Sequence, residues 1–215
     1  MFSSPLYWIA DASLVGDRPL VELAESAIGA GLRVLQYRDK SRSQRDQYPI
    51  ALALADLAKR SGATFIVNDD IDLALVVQAH GVHLGQGDFP VTEARRILGR
   101  TMIIGCSAHT LDQAKAAEAD GADYLGVGPI YESTTKMARP PLGCDHLREI
   151  CDGVRIPVYA IGGITVERCG DVLAAGARGV AVASGLLVGD IARQTRSYLS
   201  ALKADPKPRP TSRGR

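Results

Sequence analysis

Three observations predict an α/β protein, a single-domain (β/α)8 TIM barrel over residues 1–203. Short β-branched runs recur about every 20 to 30 residues, helical patterns lie between them, and no long linker divides the 215 residues. Eight such units make a closed barrel near its minimum size. A doubly wound open sheet is the alternative, but no Gly-x-Gly-x-x-Gly follows the first run.

The predicted strands are the apolar runs that punctuate the chain. In order they are Leu6–Ala10, Arg33–Tyr37, Thr64–Val67, Gly81–Leu84, Thr101–Gly105, Tyr124–Val127, Pro157–Ile161 and Gly179–Ala183.

Helices are predicted where apolar residues recur at i, i+3, i+4 and i+7 spacing. The clearest patterns are Leu20, Leu23, Ala24, Ala27 and Ile28, and then Ile50, Ala53, Leu54, Leu57 and Ala58. Thr110 with Gln113 is a candidate capping box for the helix after the fifth strand.

Composition excludes several function classes. Apolar residues make up 46% and charged residues 23%, and the net charge is +1. These values are ordinary for a globular enzyme and predict neither a nucleic-acid nor a membrane partner. Residues 1–5 have no signal-peptide pattern and no apolar run nears about 20 residues, so a cytoplasmic location is predicted. A homo-oligomer stays open.

Two further features of the chain concern its cysteines and its C-terminus. The four cysteines form no Cys-x-x-Cys pair and are predicted to be reduced thiols. The Pro-rich, basic segment 204–215 is predicted to be disordered.

Basic side chains follow the second predicted strand. Gln36, Arg38 and Lys40 are spaced two apart and point to one face if the strand continues through them. Active sites of such barrels lie at the C-terminal ends of the strands. Cations in that position predict an anionic ligand.

Carboxylates follow the third and fourth strands. Asp69 and Asp88 are candidate ligands for Mg²⁺, which prefers oxygen ligands and keeps several waters. The alternative is that each caps the next helix. Asp72 fits that capping role better than Asp69 does, and Asp70 is ambiguous.

The histidines carry weaker signals. His80 and His83 flank the fourth strand without a ligand spacing, so both are interpreted as structural. Ser107 at the end of the fifth strand is a candidate phosphate donor, and His109 is either an acid/base or an orienting group. No acidic residue stands beside His109 to complete a nucleophilic triad.

A second anion site is predicted after the last two strands. Gly162-Gly163 and Ala183-Ser184 offer small residues that let backbone N–H groups approach a phosphate. Such barrels often bind phosphate after strands seven and eight.

The run Val127–Lys136 joins the two sites. In this run an apolar strand is followed by a loop that contains hydroxyl side chains and a lysine, including Ser133, Thr135 and Lys136. The formal charges of Arg38, Lys40, Lys136 and a divalent ion, together with those of Asp69 and Asp88, add up to about +3. A net charge of this size suits a pyrophosphate. The pattern therefore predicts two substrates, one of which loses pyrophosphate.

Taken in order, these motifs resemble the thiamine-phosphate synthase (thiamine-phosphate pyrophosphorylase) family. The matching segments are Gln36-Tyr-Arg-Asp-Lys40, Asn68-Asp69, Gly81-Val-His-Leu-Gly-Gln-Gly-Asp88, Ser107-Ala-His-Thr110, Val127-Gly-Pro-Ile-Tyr131 with Thr135-Lys136, Ala160-Ile-Gly-Gly-Ile164 and Val182-Ala-Ser184.

The resemblance implies a barrel enzyme that forms thiamine phosphate. In that reaction the ring nitrogen of 4-methyl-5-(2-phosphoethyl)thiazole displaces pyrophosphate from 4-amino-2-methyl-5-hydroxymethylpyrimidine diphosphate, after ionisation to a pyrimidine carbocation.

The resemblance also implies residue roles, with Arg38, Lys40, Ser107 and Lys136 as the catalytic group. Gln36, Arg38 and Lys40 would contact the pyrimidine diphosphate, with Asn68 near the pyrimidine. Asp69 and Asp88 would hold Mg²⁺, and Ser107 and Lys136 would clamp pyrophosphate. The thiazole substrate would meet Ser133 and Thr135, and its phosphate would meet Gly163, Ala183 and Ser184.

The chain departs from the family pattern at two places. Glu132-Ser133 replaces the usual Pro-Thr, and Glu132 is expected to point outward. Ala183 replaces a bulkier aliphatic residue.

Two other functions stay open. They are the sister thiazole tautomerase, an isomerase, and a non-catalytic thiamine-phosphate-binding barrel. Retention of the pyrophosphate and metal residues favours the synthase, because a tautomerase has no pyrophosphate to bind.

Overall fold

A computed structural model describes residues 4–132 and 140–203 of the chain. Eight parallel strands form one closed barrel in which each strand pairs with its neighbours in sequence and β8 pairs with β1. This confirms the predicted (β/α)8 TIM barrel. The predicted tail, 204–215, lies outside the described residues.

The strands are β1 (Leu6–Asp11), β2 (Val34–Arg38), β3 (Thr64–Asn68), β4 (Gly81–Leu84), β5 (Ile103–Ala108), β6 (Tyr124–Val127), β7 (Val158–Ile161) and β8 (Gly179–Val182). The α-helices are α1 (Ala12–Val15), α2 (Leu20–Gly29), α3 (Gln44–Ser61), α4 (Ile71–Val76), α5 (Val91–Leu98), α6 (Leu111–Ala119), α7 (Gly143–Gly153), α8 (Cys169–Ala174) and α9 (Ile191–Ala201). Two short 3-10 helices, Val166–Arg168 and Ser184–Leu187, follow β7 and β8.

The largest error in the predicted strands is at β5, which was predicted at Thr101–Gly105. The strand instead begins at Ile103, whose N–H donates to the His80 carbonyl at 2.9 Å. The register then pairs Ile103 with Gly81 and Ser107 with Gly126. Ser107 is therefore a strand residue rather than a loop residue, and its direction is set by the pleat.

The two helical patterns correspond to α2 and α3. In α3 the buried face includes Ala51 and Ala55 beside Leu54, Leu57 and Ala58, while Ala53 is only partly buried. The helix ends at Gly62, a left-handed residue (φ 67°) that glycine adopts without steric cost.

Strand alternation divides the apolar residues into two layers. One large cluster fills the space between the strands and the helices. The other fills the barrel interior and consists of Tyr7, Val34, Ile66, Tyr124, Tyr159 and Ala181, with Ile9, Ile103 and Ile161 partly buried against it. Gln36 and Arg38 share the pleat direction of Val34, so they continue this interior layer toward the C-terminal ends of the strands.

Three tyrosines occupy the interior below the C-terminal ends of the strands. The rings of Tyr7, Tyr124 and Tyr159 meet edge to face, with centroids 5.9, 5.8 and 6.0 Å apart. Room for Tyr124 comes from Gly105 on β5, because a Cβ there would lie 2.0 Å from the Tyr124 ring. Strand interiors disfavour glycine, so this position reflects close packing.

The cysteine prediction is confirmed, because all four cysteines are free thiols. Burial raises the pKa of Cys106 to about 11. No helix within residues 4–132 and 140–203 is both long and apolar enough to cross a bilayer.

Gly105→Ala is expected to lower the free energy of unfolding by about 1–3 kcal/mol, because the new methyl group would overlap the buried Tyr124 ring. Chemical denaturation measures this change. Gly29→Ala is the matched control, since Gly29 ends α2, is exposed and has open space around it. Its effect is expected to stay within about 1 kcal/mol. Equal stability of the two variants would contradict the packing role assigned to Gly105.

Candidate active site

The end of β2 delivers Arg38 and Lys40 to the mouth of the barrel, as predicted. Arg38 forms a partly buried ion pair with Asp11 at the end of β1. Asp11 also caps α1 by accepting from the Ser13 N–H at 2.9 Å. Asp11, which was not among the predicted site residues, both orients Arg38 and offsets its charge.

A buried carboxylate shapes the loop between these cations. Asp39 accepts from the N–H groups of Ser41 (2.9 Å) and Arg42 (3.1 Å) and from the Arg42 guanidinium (2.6 Å). Burial alone would raise the pKa of Asp39, but these hydrogen bonds bring it well below its usual range. The loop that carries Lys40 is therefore fixed by an ionised aspartate.

The predicted metal ligands come together at the ends of β3 and β4. The Asp69 and Asp88 carboxylates lie close enough to shift each other's pKa, and Lys40 forms an ion pair with Asp69. Asn68 donates to Asp69 at 2.6 Å, and the Gly85 N–H donates to Asp88 at 2.8 Å.

Asp69 also has a positive φ of 61°, which is uncommon for a residue other than glycine. Its N–H donates to the His83 carbonyl at 2.9 Å, which helps to hold this conformation. Backbone strain of this kind is concentrated at functional sites.

The two carboxylates shift each other's pKa in opposite directions. Burial and the neighbouring Asp88 raise the pKa of Asp69, although Lys40 opposes this shift. Burial also raises the pKa of Asp88, but its hydrogen bonds with Asp69 and Gly85 leave it lowered. Two carboxylates in contact must share either a proton or a cation.

The oxygen donor set of this pair fits Mg²⁺. In residues 4–132 and 140–203 no three His, Cys, Asp or Glu side chains form a metal cluster. Mg²⁺ commonly takes one or two carboxylates and completes its shell with water and substrate phosphates. The two carboxylates of Asp69 and Asp88 match this coordination preference, and the pair lacks the nitrogen and sulfur donors that zinc prefers.

Ser107 faces the interior from β5, beside a histidine that was interpreted as structural. His83 lies with its Nε2 3.0 Å from the Ser107 Oγ and its Nδ1 3.0 Å from the Tyr124 hydroxyl. Gln86 donates to the Ser107 carbonyl at 2.7 Å. The Gly-Val-His alternation on β4, which aims His83 inward, was the available signal for this role.

The ends of β7 and β8 carry Gly163, Ala183 and Ser184. Gly163 has φ 62° and packs against the backbone of Tyr131 and Glu132. Arg168 donates to the Gly163 carbonyl at 2.6 Å and its guanidinium lies 4.4 Å from the Tyr131 ring centroid. Glu132 is exposed, as expected.

Ala183 directly precedes the 3-10 helix that begins at Ser184. The segment after β8 is therefore a single short 3-10 turn rather than the start of a long helix. The phosphate-binding roles of Gly163, Ala183 and Ser184 stay predictions.

The remaining polar residues have structural contacts. His80 accepts from the Phe65 N–H at 3.1 Å, as a structural histidine should. His109 Nδ1 lies 2.6 Å from the Gly128 carbonyl, which favours the orienting role. Asp70, rather than the predicted Asp72, caps α4 by accepting from the Leu73 N–H at 2.9 Å.

The capping box after β5 takes a modified form. Thr110 accepts from the Gln113 N–H, but the Gln113 side chain accepts from the His109 N–H at 2.8 Å, one residue before the cap.

Three predicted residues, Ser133, Thr135 and Lys136, lie outside the described residues. The charge balance of the predicted site also changes. Adding Asp11 to the two carboxylates lowers the formal sum from about +3 to about +2, which still attracts pyrophosphate.

Asp39→Asn is expected to lower the free energy of unfolding at pH 7 by about 1–3 kcal/mol, because an amide cannot replace the charge-assisted hydrogen bonds. A carboxyl whose pKa is lowered by folding stabilises the protein above its unfolded pKa of about 3.9. That stability disappears as the pH falls through the folded value. The difference between the variant and the wild type should therefore shrink below about pH 4.

Denaturation curves between pH 2.5 and 7 measure this dependence. Asp145→Asn is the control, since Asp145 is fully exposed in its pair with Arg148. A pH-independent loss in Asp39→Asn would show that the charge is not the source of the stability.

Comparisons with known proteins agree with this geometry. A family model described as thiamine monophosphate synthase matches residues 6–186. A thiamine-phosphate synthase from Chloroflexus aurantiacus is 48% identical over 200 residues, covering 91% of this chain and 92% of the relative. One from Methanospirillum hungatei is 45% identical over 195 residues, covering 90% and 95%.

A solved structure gives the same result. The thiamine phosphate pyrophosphorylase from Pyrococcus furiosus superposes with a TM-score of 0.84 at 35% identity, covering 92% of this chain and 95% of that one. The chain belongs to the thiamine monophosphate synthase family.

Proposed function

We propose that this protein is a thiamine-phosphate synthase that joins 4-amino-2-methyl-5-hydroxymethylpyrimidine diphosphate to 4-methyl-5-(2-phosphoethyl)thiazole. The single observation that supports this most is the convergence of Arg38, Lys40 and the Asp69–Asp88 pair at one edge of the barrel. Two cations beside a paired carboxylate site suit a diphosphate that arrives with a divalent ion.

The reaction needs a good leaving group more than a strong base. The bond between the pyrimidine methylene carbon and the diphosphate oxygen breaks, and its electron pair leaves with pyrophosphate. The thiazole ring nitrogen then donates its lone pair to the carbon. No proton has to move for either step, which agrees with a site whose main features are charge and hydrogen-bond donors.

Charge on the departing oxygens would be stabilised by Arg38, Lys40, Ser107 and Lys136. Arg38 is held by Asp11 and Lys40 lies on the loop fixed by Asp39, which limits how far either cation must move to meet the developing charge. When bound by Asp69 and Asp88, Mg²⁺ would neutralise part of the diphosphate charge.

The two substrate rings would lie next to each other, with the thiazole nitrogen facing the methylene carbon from which the diphosphate departs. Gln36 lies within β2 and would contact the pyrimidine diphosphate, and Asn68 lies at the end of β3 and would be near the pyrimidine. Ser133 and Thr135 would contact the thiazole, with its phosphate near Gly163, Ala183 and Ser184. We further propose a cytoplasmic enzyme with small-molecule partners and no nucleic-acid or membrane partner.

Purified protein supplied with both substrates and Mg²⁺ is expected to release pyrophosphate and form thiamine phosphate in equal amounts. Coupled pyrophosphate detection and chromatography of the product measure the two yields. Omission of the thiazole phosphate is the control and should abolish thiamine phosphate. Failure of the folded protein to form any product would reject the assignment.

Asp88→Ala is expected to reduce turnover by at least about 100-fold, because this carboxylate would help to hold the Mg²⁺ that neutralises charge on the leaving group. The melting temperature should change little, since the side chain serves the site rather than the core. Asp72→Ala on α4 is the control and should retain wild-type turnover. Wild-type turnover of Asp88→Ala would remove this residue from the site.

A further inference from the structure

A chain of hydrogen bonds crosses the barrel interior between two predicted substrate contacts. Gln36 Nε2 donates to the Tyr7 hydroxyl. The Tyr7 and Tyr124 hydroxyl oxygens are 2.8 Å apart. Tyr124 then contacts His83 Nδ1 at 3.0 Å, and His83 Nε2 contacts the Ser107 Oγ at 3.0 Å.

Three of the five residues linked by these hydrogen bonds are well shielded from water, while His83 and Ser107 are half-buried. Tyr7 is 1% exposed, Tyr124 is fully buried and Gln36 is 2% exposed. Hydrogen bonds between buried groups strengthen one another, and a buried polar group without a partner is costly. A break at one link is therefore felt by its neighbours.

The donor at one end favours one direction for the whole series of hydrogen bonds. Since Gln36 donates a hydrogen bond to Tyr7, the Tyr7 hydroxyl can donate to the Tyr124 oxygen, and the Tyr124 hydroxyl can donate to Nδ1 of His83. A neutral imidazole that accepts at Nδ1 carries its hydrogen on Nε2. Nε2 then donates to the Ser107 oxygen, and the Ser107 hydrogen can be directed to a ligand.

The reverse direction has the opposite consequence. If the Gln36 carbonyl faced Tyr7, each hydroxyl would donate toward β2, and His83 would accept the Ser107 hydrogen at Nε2. Ser107 would then present only lone pairs to a phosphate. The choice of direction thus decides whether Ser107 can stabilise a departing anion.

We propose that His83, Tyr124 and Tyr7 are positioning residues that orient the Ser107 hydroxyl toward pyrophosphate, with the direction set by Gln36. This inference rests on the proposed function for the identity of the ligand at Ser107. A pyrimidine that engages the Gln36 carbonyl would favour the same direction, so the two ends of one substrate are coupled through the protein.

Tyr159 supplies a matched control. Its ring belongs to the same tyrosine cluster and is fully buried, but its hydroxyl donates to the Ser4 carbonyl at 2.8 Å. Tyr159→Phe and Tyr124→Phe therefore each remove one buried hydroxyl and keep the aromatic ring. Only Tyr124→Phe removes a link between Gln36 and Ser107.

The first test is the affinity for pyrophosphate in excess Mg²⁺, measured by titration calorimetry. Tyr124→Phe is expected to weaken binding about 3- to 10-fold, the effect of one hydrogen bond, while Tyr159→Phe stays within about twofold of wild type. Tyr124→Phe combined with Ser107→Ala should bind no more weakly than Ser107→Ala alone. Equal affinities of the two phenylalanine variants, or an additive double variant, would overturn the proposal.

The second test needs no ligand. Nitrogen NMR of the wild-type protein, with His83 assigned by the signals lost in His83→Gln, is expected to show the hydrogen on Nε2. Tyr124→Phe should introduce the other tautomer, and Tyr159→Phe should not. A hydrogen on Nδ1 in the wild type would overturn the proposed direction, even if Tyr124→Phe fails to fold.

The two tests separate this inference from the proposed function. If the wild-type protein has the Nε2 tautomer of His83 but does not bind pyrophosphate, then pyrophosphate is not the ligand of Ser107. The proposed role of Ser107 would then be rejected as well. Normal turnover and pyrophosphate binding, together with the Nδ1 tautomer of His83, would support the synthase assignment and reject the proposed direction of the hydrogen bonds from Gln36 to Ser107.

Discussion

The structure depends on the alternation of side chains around a closed barrel. With eight strands paired edge to edge, every second residue must enter one narrow interior. Tyr7, Tyr124 and Tyr159 fill that interior, and Gly105 accommodates the Tyr124 ring. Because of the same alternation, the inward-facing residues one layer further along the strands lie at the mouth of the barrel and form the candidate site. The packed tyrosines and the candidate site residues are therefore two successive layers of one interior.

Charge at the mouth is compensated before any substrate arrives. Arg38 pairs with Asp11, and Lys40 pairs with Asp69. Isolated cations clustered near a barrel mouth would repel one another, and these pairs reduce that cost while they fix the side chains. A diphosphate with a divalent ion would take over part of this pairing. Asp11 and Asp69 thus hold the two cations in place, and Asp69 is also a candidate metal ligand.

The sequence predicted the fold and the strand-end positions of most candidate site residues, because strand-end position follows from periodicity, while the roles of these residues stay predictions. It did not predict Asp11 as the partner of Arg38, since only the register of β1 against β2 places these two residues opposite each other. His83 was assigned a structural role because it has no metal-ligand spacing, and its partner, Ser107, belongs to a strand whose start was placed two residues early. Such pairings depend on tertiary register, and local patterns carry no information about it.

The interior chain gives the buried tyrosines a meaning beyond packing. Phenylalanine would fill the same space and would avoid burying hydroxyl groups, whose burial is costly unless they are hydrogen-bonded. Tyr7 and Tyr124 instead keep hydroxyls that link Gln36 to His83. In such a chain any free energy that a ligand at Gln36 contributes to binding at Ser107 must act equally in reverse. Pyrophosphate on Ser107 would thereby favour the Gln36 orientation that receives the pyrimidine, which retains both fragments after their bond has broken.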